Sequence, residues 1–163
     1  MELYFDWLLA RGADLAVEIT PAAVVTAPWT LYKCKFGCSV YGKSYCCPPN
    51  TPTYKETRAI LDCFQSGILF RTHTQGTVTP LAAELARVLF LDGYYKAIAF
   101  GDGDCQRCEK CNAERCNFPG KTVPSMEACG IDVFATVRDR GLEIRTLRER
   151  DEVQNHFGLV LVE

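Results

Sequence analysis

The cysteines constrain this chain more than any other feature, because ten of them occur in only 163 residues. Eight form two groups, which are Cys34, Cys38, Cys46 and Cys47, and then Cys105, Cys108, Cys111 and Cys116. Cys63 and Cys129 lie outside both groups. A chain of this length can bury a sizeable core without covalent staples. Grouped cysteines in it therefore indicate metal or redox chemistry, provided that the protein is not secreted.

The amino terminus argues against secretion. Glu2 and Asp6 stand where a signal peptide would carry basic residues and an unbroken apolar run. No stretch of the sequence is apolar for long enough to span a bilayer. We therefore expect a cytoplasmic protein with no membrane contact, in a compartment whose reductants keep thiols free.

The overall composition excludes several classes of protein. Charged residues make up 23% and hydrophobic residues 48%, which is the balance of an ordinary globular protein. The formal charge is −2 and no basic stripe follows the chain, so nucleic acid is not expected as a partner. The nucleotide and hydrolase motifs GxGxxG, Walker A, GxSxG and HExxH do not occur.

The remaining pattern predicts alternating helices and strands. A capping box at Thr53 and Glu56 starts one helix, and Thr79-Pro80 starts the clearest one. Further helices are predicted over 3–10 and from Ser125 through Val137, and strands over 15–19, 68–70, 94–100, 142–147 and 157–162. The prediction is an α+β or α/β fold: a single domain over 1–163, in which a small sheet with flanking helices carries two cysteine-rich loops, at about 34–49 and 102–120.

The second cysteine group has the spacing Cx2Cx2Cx4C. Gaps of two residues let successive thiolates turn around one cubane, so Cys105, Cys108, Cys111 and Cys116 are predicted to hold a 4Fe-4S cluster. The ferredoxin run has a last gap of three residues followed by proline, and here Pro119 follows Cys116 only after two other residues. Zinc and a metal-free thiol cluster remain alternatives. Zinc, however, usually takes two Cx2C pairs separated by a long spacer.

The first group is less regular, and it predicts three ligands, Cys34, Cys38 and Cys47. The fourth could be Cys46, Cys129, Cys63 or no protein group. Neighbouring side chains diverge from the backbone, which disfavours Cys46 beside Cys47. Cys129 is preferred, because it is predicted near the start of a helix, where the positive end favours a thiolate. Cys63 is expected to be a core residue. For Cys129, the alternative to metal binding is likewise a place in the core.

Other polar residues give weaker signals. His73 and His156 lack ligand spacing and are expected at the surface or at strand ends. Asp102-Gly103-Asp104 is expected to be a turn before Cys105. Four basic residues surround the second group: Arg107, Lys110, Arg115 and Lys121. They could offset the charge of a cluster, dock an acidic partner, or simply be solvated.

Three segments, 38–49, 105–116 and 124–134, carry a family resemblance. With them the chain, from about Cys34 to Gly141, resembles a family of uncharacterised predicted metal-binding proteins of anaerobic bacteria and archaea. The resemblance implies a bound metal, with iron–sulfur as the expected form, and a cytoplasmic setting, but no reaction. The three residues between Cys34 and Cys38, and the doubled cysteine before Pro48, depart from the familiar spacing, so the ligands of the first site stay open.

Three functions follow as hypotheses. The first is a protein with one or two 4Fe-4S clusters that transfers electrons to a redox partner protein. The second is a small redox enzyme that binds substrate at an open iron of the first cluster, since an unfilled coordination position separates catalytic from structural metal sites. The third is a zinc-stabilised interaction module. The sequence leaves the oligomeric state open.

Overall fold

The computed structural model describes residues 1–149 and 151–163. Its centre is a four-stranded antiparallel sheet with the strand order β1-β2-β4-β3. The strands are β1 (Leu15–Ile19), β2 (Gly67–Thr72), β3 (Ile98–Phe100) and β4 (His156–Leu161). The helices are α1 (Glu2–Leu9), α2 (Trp29–Gly37), α3 (Tyr54–Leu61), α4 (Val78–Leu91) and α5 (Val133–Asp139). Two 3-10 turns, Pro21–Ala23 and Glu127–Cys129, complete the elements.

Apolar side chains cover both faces of the sheet. Alternate residues of a strand point to opposite faces, so Ile68 and Phe70 pack toward α1 and α4, whereas Leu69 packs toward α5 and the turn before it. The two central strands, β2 and β4, are buried almost throughout. This explains their continuous apolar sequences and confirms the predicted α+β class with a small sheet and flanking helices.

Several predicted elements are confirmed. The Thr53 hydroxyl accepts from the Glu56 N–H while the Glu56 carboxylate accepts from the Thr53 N–H, so the capping box starts α3. The strands predicted over 15–19 and 157–162 match β1 and β4 within a residue. The helix predicted at Thr79-Pro80 is α4, which begins at Val78.

Two strand predictions were wrong, because one strand is shorter than predicted and the other does not form. The strand predicted over 94–100 is only β3, because Gly93 has φ of +103° and residues 94–97 turn back on themselves before pairing begins. Residues 142–147 form no strand, since this segment packs Ile144 onto the core without a neighbouring strand to pair with. The sheet of the described residues is therefore narrower than predicted.

The helix predicted from Ser125 through Val137 was also wrong, because glycine interrupts it. Gly130 has φ of +80° and ends the 3-10 turn, and Asp132 then caps α5 by accepting from the Ala135 N–H at 2.9 Å. Gly130 lies directly against Tyr54 at the start of α3, so that even one carbon atom more would not fit there. The break directs Cys129 into the core.

No helix among the described residues is both long enough and apolar enough to cross a membrane.

Candidate metal centre

Helix α2 places the first two cysteines of the first group. The sequence predicted a turn-rich loop here, but Cys34 lies in the last turns of α2 and Cys38 follows its end. The helix was missed because it has no apolar stripe, and its aromatic residues, Trp29, Tyr32 and Phe36, are exposed. A rigid element rather than a loop therefore carries these two thiols.

The loop after α2 brings the third predicted ligand to the first two. Cys47 is buried, and Cys38 and Cys34 both lie near enough to raise the pKa of its thiol, although burial is the larger cause. The pKa of the Cys34 thiol is likewise raised by burial and then by Cys38. Any metal bound here must displace protons from these thiols, since thiolates are the ligands. Cys34, Cys38 and Cys47 therefore lie near one another.

The second group lies in an irregular stretch between β3 and the 3-10 turn at Glu127, and all four of its thiols are partly exposed. The sulfur of Cys116 accepts from the Phe118 N–H at 3.3 Å. The sulfur of Cys111 accepts from the N–H of Tyr45, in the other loop, at 3.4 Å. Backbone N–H groups that point at cysteine sulfur are a recurring feature of cluster loops, where they tune the reduction potential.

The two cysteine loops lie directly against each other. The Cys46 sulfur lies 3.6 Å and the Cys105 sulfur 3.0 Å from the same hydroxyl, that of Thr122. The Asn50 side-chain amide donates to the carbonyl of Ala113 at 3.0 Å, which ties the loops together farther along. The groups are therefore neighbours in space although they are distant in sequence.

Cys46 belongs to the second group by position. The sequence treated it as a possible fourth ligand of the first site, but its sulfur shares the Thr122 hydroxyl with Cys105. Cys105 and Cys116 also raise the pKa of its thiol more than Cys47 does. Burial raises the pKa of the Cys46 thiol to about 11. The divergence of neighbouring side chains sends Cys46 toward one group and Cys47 toward the other.

Cys129 lies close to both groups, but not for the predicted reason. It ends a 3-10 turn instead of starting a helix, so no helix dipole favours its thiolate. Burial raises its pKa to about 12, with smaller contributions from Cys46, Glu127 and Cys34. Its side chain is fully buried in the core with Met126 and Ile131.

Cys63 was expected in the core and is instead exposed. It follows α3, and its thiol donates to the Ala59 carbonyl one helical turn earlier. None of the described hydrogen bonds of Cys63 involves another cysteine.

A cavity of about 300 Å³ opens beside the first group. Its wall includes Cys34, Cys38, Ile131, Phe134 and the side chain of Glu127. Glu127 is exposed, and desolvation by the protein atoms near its carboxyl group raises its pKa. The sequence analysis did not single out Glu127.

A larger cavity, of about 800 Å³, lies on the other side of Glu127 and reaches Cys105. His156, the first residue of β4, bonds through Nδ1 to the Asp102 carboxylate at 2.8 Å in its wall. Burial raises the pKa of Asp102, against the opposite effect of His156. The Nε2 atom of His156 is buried without a hydrogen-bond partner among the described residues.

Sequence reasoning placed His156 at a strand end but missed its partnership with Asp102. The signal available was that Asp102 closely follows β3, which pairs with β4, so that the two residues meet at one edge of the sheet. His73 is at the surface as expected, where its Nε2 lies 3.1 Å from Asp14.

The cysteine side chains of the two groups are suitable ligands for a metal ion or cluster that binds thiolates. All ten cysteines are free. Among the residues that the structure describes, no three histidine, cysteine or acidic side chains converge closely enough to hold a single metal ion. A 4Fe-4S cluster sets a different requirement, because each thiolate binds its own iron and the sulfurs stand farther apart than around one tetrahedral ion.

Comparison with known proteins gives one match. No curated protein and no solved structure is significantly similar to this chain. A family model described as "Predicted metal-binding protein (DUF2284)" matches residues 17–162, which include all ten cysteines. The chain therefore belongs to this family of predicted metal-binding proteins.

Proposed function

We propose that this protein binds two 4Fe-4S clusters and transfers electrons between them and a partner protein. The contact between the two cysteine loops carries the proposal, since Tyr45 beside one group donates to the Cys111 sulfur of the other. Cys105, Cys108, Cys111 and Cys116 would hold one cluster. Cys34, Cys38 and Cys47 would hold the other, with Cys129 as the fourth ligand predicted from the sequence.

The hydrogen bonds to the sulfurs support bound clusters. The N–H groups of Tyr45 and Phe118 point at two sulfurs of the second loop, and the hydroxyl of Thr122 lies against a third. Such hydrogen bonds stabilise thiolates and adjust the potential of a cluster, as do its exposure and its charge. Zinc would use the same sulfurs, so the identity of the metal is the point to be tested.

Electron transfer follows from the arrangement of the loops. Two clusters in loops that share contacts would lie close enough to exchange electrons, and the partly exposed second loop would face the partner. Each oxidised all-cysteine cluster would add a charge of about −2 to the protein. Exposed basic residues beside the second loop would steer an acidic redox partner toward it, and they are Arg107, Lys110, Arg115 and Lys121. We place this function in the cytoplasm of an anaerobic cell, because exposed clusters and free thiols require a reducing setting.

Metal and sulfide analysis tests the proposal. Protein purified without oxygen should contain about eight iron and about eight acid-labile sulfide per chain, as two cubanes require. It should be brown and should bleach on reduction. Colourless protein with stoichiometric zinc and no labile sulfide would instead establish the zinc-stabilised interaction module.

A second candidate function is a small redox enzyme with an open iron at the first cluster. The cavity of about 300 Å³ beside Cys34 and Cys38 favours it, because a small molecule could reach the cluster there. This function predicts that one of the two cluster spectra shifts when a small ligand such as cyanide is added. Unchanged spectra, with four cysteines required for each cluster, would contradict it.

A further inference from the structure

We propose that the exposed surface of α2 is a docking site for an acidic redox protein, which exchanges single electrons with the first cluster. This α2 surface consists of Trp29, Tyr32, Lys33, Lys35 and Phe36. The inference rests on the proposed function, since it needs a cluster at the first site. It goes further because it gives the first cluster a partner surface of its own, separate from the basic residues of the second loop.

Three aromatic side chains of α2 are exposed at helical spacing. Trp29, Tyr32 and Phe36 are 44%, 65% and 67% exposed. Spacings of three, four and seven residues place them on one side of the helix, so that they form a continuous stripe. The helix also packs against the 3-10 turn Glu127–Cys129, which gives the stripe a fixed support. Contiguous exposed aromatic side chains mark interaction sites, and tryptophan and tyrosine often supply much of the binding energy there.

The charge around the stripe has one sign. Residues 19–55 contain four lysines and no acidic residue, although the whole chain has a formal charge of −2. All four lysines are exposed, and they are Lys33, Lys35, Lys43 and Lys55. In the wall of the cavity beside α2, one acid, Glu127, is balanced by Lys33, so the other lysines remain in excess. A basic surface attracts and orients a partner of the opposite sign, which makes an acidic partner the complementary one.

The aromatic rings favour a protein over a single-stranded nucleic acid. The Lys33 ammonium lies 5.1 Å from the centre of the Trp29 ring, and the Lys35 ammonium lies 5.5 Å from that of Phe36. The rings of Tyr32 and Phe36 have centroids 4.7 Å apart. Proteins that bind single strands offer open ring faces on which bases stack. Here a lysine or a neighbouring ring already lies against each of the three rings.

The position of α2 makes the expected partner a redox protein. Cys34 lies within the helix, and Cys38 directly follows it and is exposed. The cavity of about 300 Å³ opens between Trp29 and both cysteines, and a side chain of the partner could enter it. A protein docked on the α2 surface would therefore lie directly against two thiols of the first site. Electron transfer requires such proximity, because its rate falls steeply with the distance between the redox groups.

A docking surface at each cluster would make the protein a relay between two partners. One partner would dock beside the second loop and the other on α2. In each step one reduced group loses a single electron and the next group gains it, without any bond being made or broken.

Carbodiimide cross-linking of the anaerobically purified holoprotein to a plant-type 2Fe-2S ferredoxin tests the surface directly. The reagent joins lysine amines to the carboxylates of this acidic protein, and peptide mass spectrometry then identifies the lysines. Cross-links should occur at Lys33 and Lys35 as well as at Lys110 and Lys121 of the second loop. Lys96 is the matched control, because it also lies over an aromatic ring, that of Phe64, and it should not react. Cross-links confined to the second loop would overturn the inference.

Stopped-flow reduction by the reduced ferredoxin gives the functional readout. It uses Lys110→Glu/Lys121→Glu protein as the parent, in which docking at the second loop is weakened. Adding Lys33→Glu/Lys35→Glu should slow cluster reduction at least about tenfold at low ionic strength, and the difference should largely disappear at about 0.5 M salt.

Aromatic variants in the same parent separate the stripe from general surface effects. Tyr32→Ser/Phe36→Ser should slow reduction at low and high salt alike, whereas Tyr95→Ser, which removes an aromatic side chain that is 77% exposed after α4, should not. Iron content and spin count identify variants that retain both clusters, and the cross-linking of wild type needs no variant.

The outcomes distinguish this inference from the function on which it rests. Unchanged rates in both α2 variants, with both clusters present, would overturn the docking surface and leave the proposed function intact. Binding of oligouridylate that Lys33→Glu/Lys35→Glu abolishes, without ferredoxin cross-links at α2, would identify single-stranded RNA as the occupant and would also overturn it. Wild-type protein without iron and labile sulfide would overturn the proposed function itself.

Discussion

Replacing Gly130 by alanine should destabilise the protein far more than the same change at Gly141. Both glycines have positive φ, +80° and +70°. A Cβ atom at Gly130 would lie 2.6 Å from both Cα and Cβ of Tyr54, whereas a Cβ atom at Gly141 would meet nothing within 4 Å. The pair therefore separates the cost of backbone conformation from the cost of a clash. Gly130 packs the turn that carries Glu127 and Cys129 against Tyr54 of α3. The comparison therefore also tests how tightly this part of the site is held.

The magnitudes follow from these two contributions. A left-handed conformation costs a non-glycine residue about 1–2 kcal/mol, and this is the whole expected cost of Gly141→Ala. Gly130→Ala carries the same cost and adds that of overpacking, about 1–3 kcal/mol, since the atoms it meets are backbone and Cβ atoms that cannot rotate away. The free energy of unfolding should therefore fall by about 2–5 kcal/mol in Gly130→Ala.

Thermal unfolding under anaerobic conditions measures the difference. For a chain of this size, 1 kcal/mol corresponds to roughly 2–4 °C in Tm. Gly141→Ala should lower Tm by roughly 2–8 °C, and Gly130→Ala by roughly 2–12 °C more. Equal shifts in the two variants would refute the close approach of Gly130 to α3.

Three further perturbations give distinct readouts. Cys108→Ala should lose about half of the bound iron, whereas Cys63→Ala should keep all of it, as elemental analysis would show, because the Cys63 thiol is exposed and donates to the Ala59 carbonyl rather than contacting either cysteine group. The Arg71 guanidinium holds the pKa of Asp14 below its usual 3.8, so this carboxylate stabilises the fold above that pH and ceases to do so as the pH falls. Urea unfolding should show Asp14→Asn less stable than wild type by no more than about 1 kcal/mol at neutral pH, with the gap closing below pH 3.8. His156→Gln should lower the free energy of unfolding by about 1–3 kcal/mol in the same assay, because it removes the partner of a half-buried carboxylate.

The fold was predictable where one local signal decided an element. The capping box at Thr53 and the apolar stripe of α4 gave both helices, since capping and periodicity act over a few residues. The break at Gly130 was missed because it depends on contact with Tyr54, which is distant in sequence. The order of the strands lay beyond sequence patterning for the same reason.

The candidate site was predictable only as a set of ligands. The spacing of the cysteines identified the two groups, because ligand spacing is a local property. Nothing local shows that Tyr45 donates to Cys111, that Cys46 lies beside the second group, or that Glu127 shares a cavity with Cys34. These juxtapositions result from how α2 and the two loops pack.

Electron paramagnetic resonance of the dithionite-reduced protein tests the central claim most directly, because the claim is that two clusters lie in loops that touch. The account predicts close to two spins per chain and a spectrum broadened by magnetic interaction between two reduced clusters. Cys108→Ala should give about one spin and a simple, unbroadened spectrum. A reduced wild-type protein with no signal, or with two clusters that do not interact, would contradict the account.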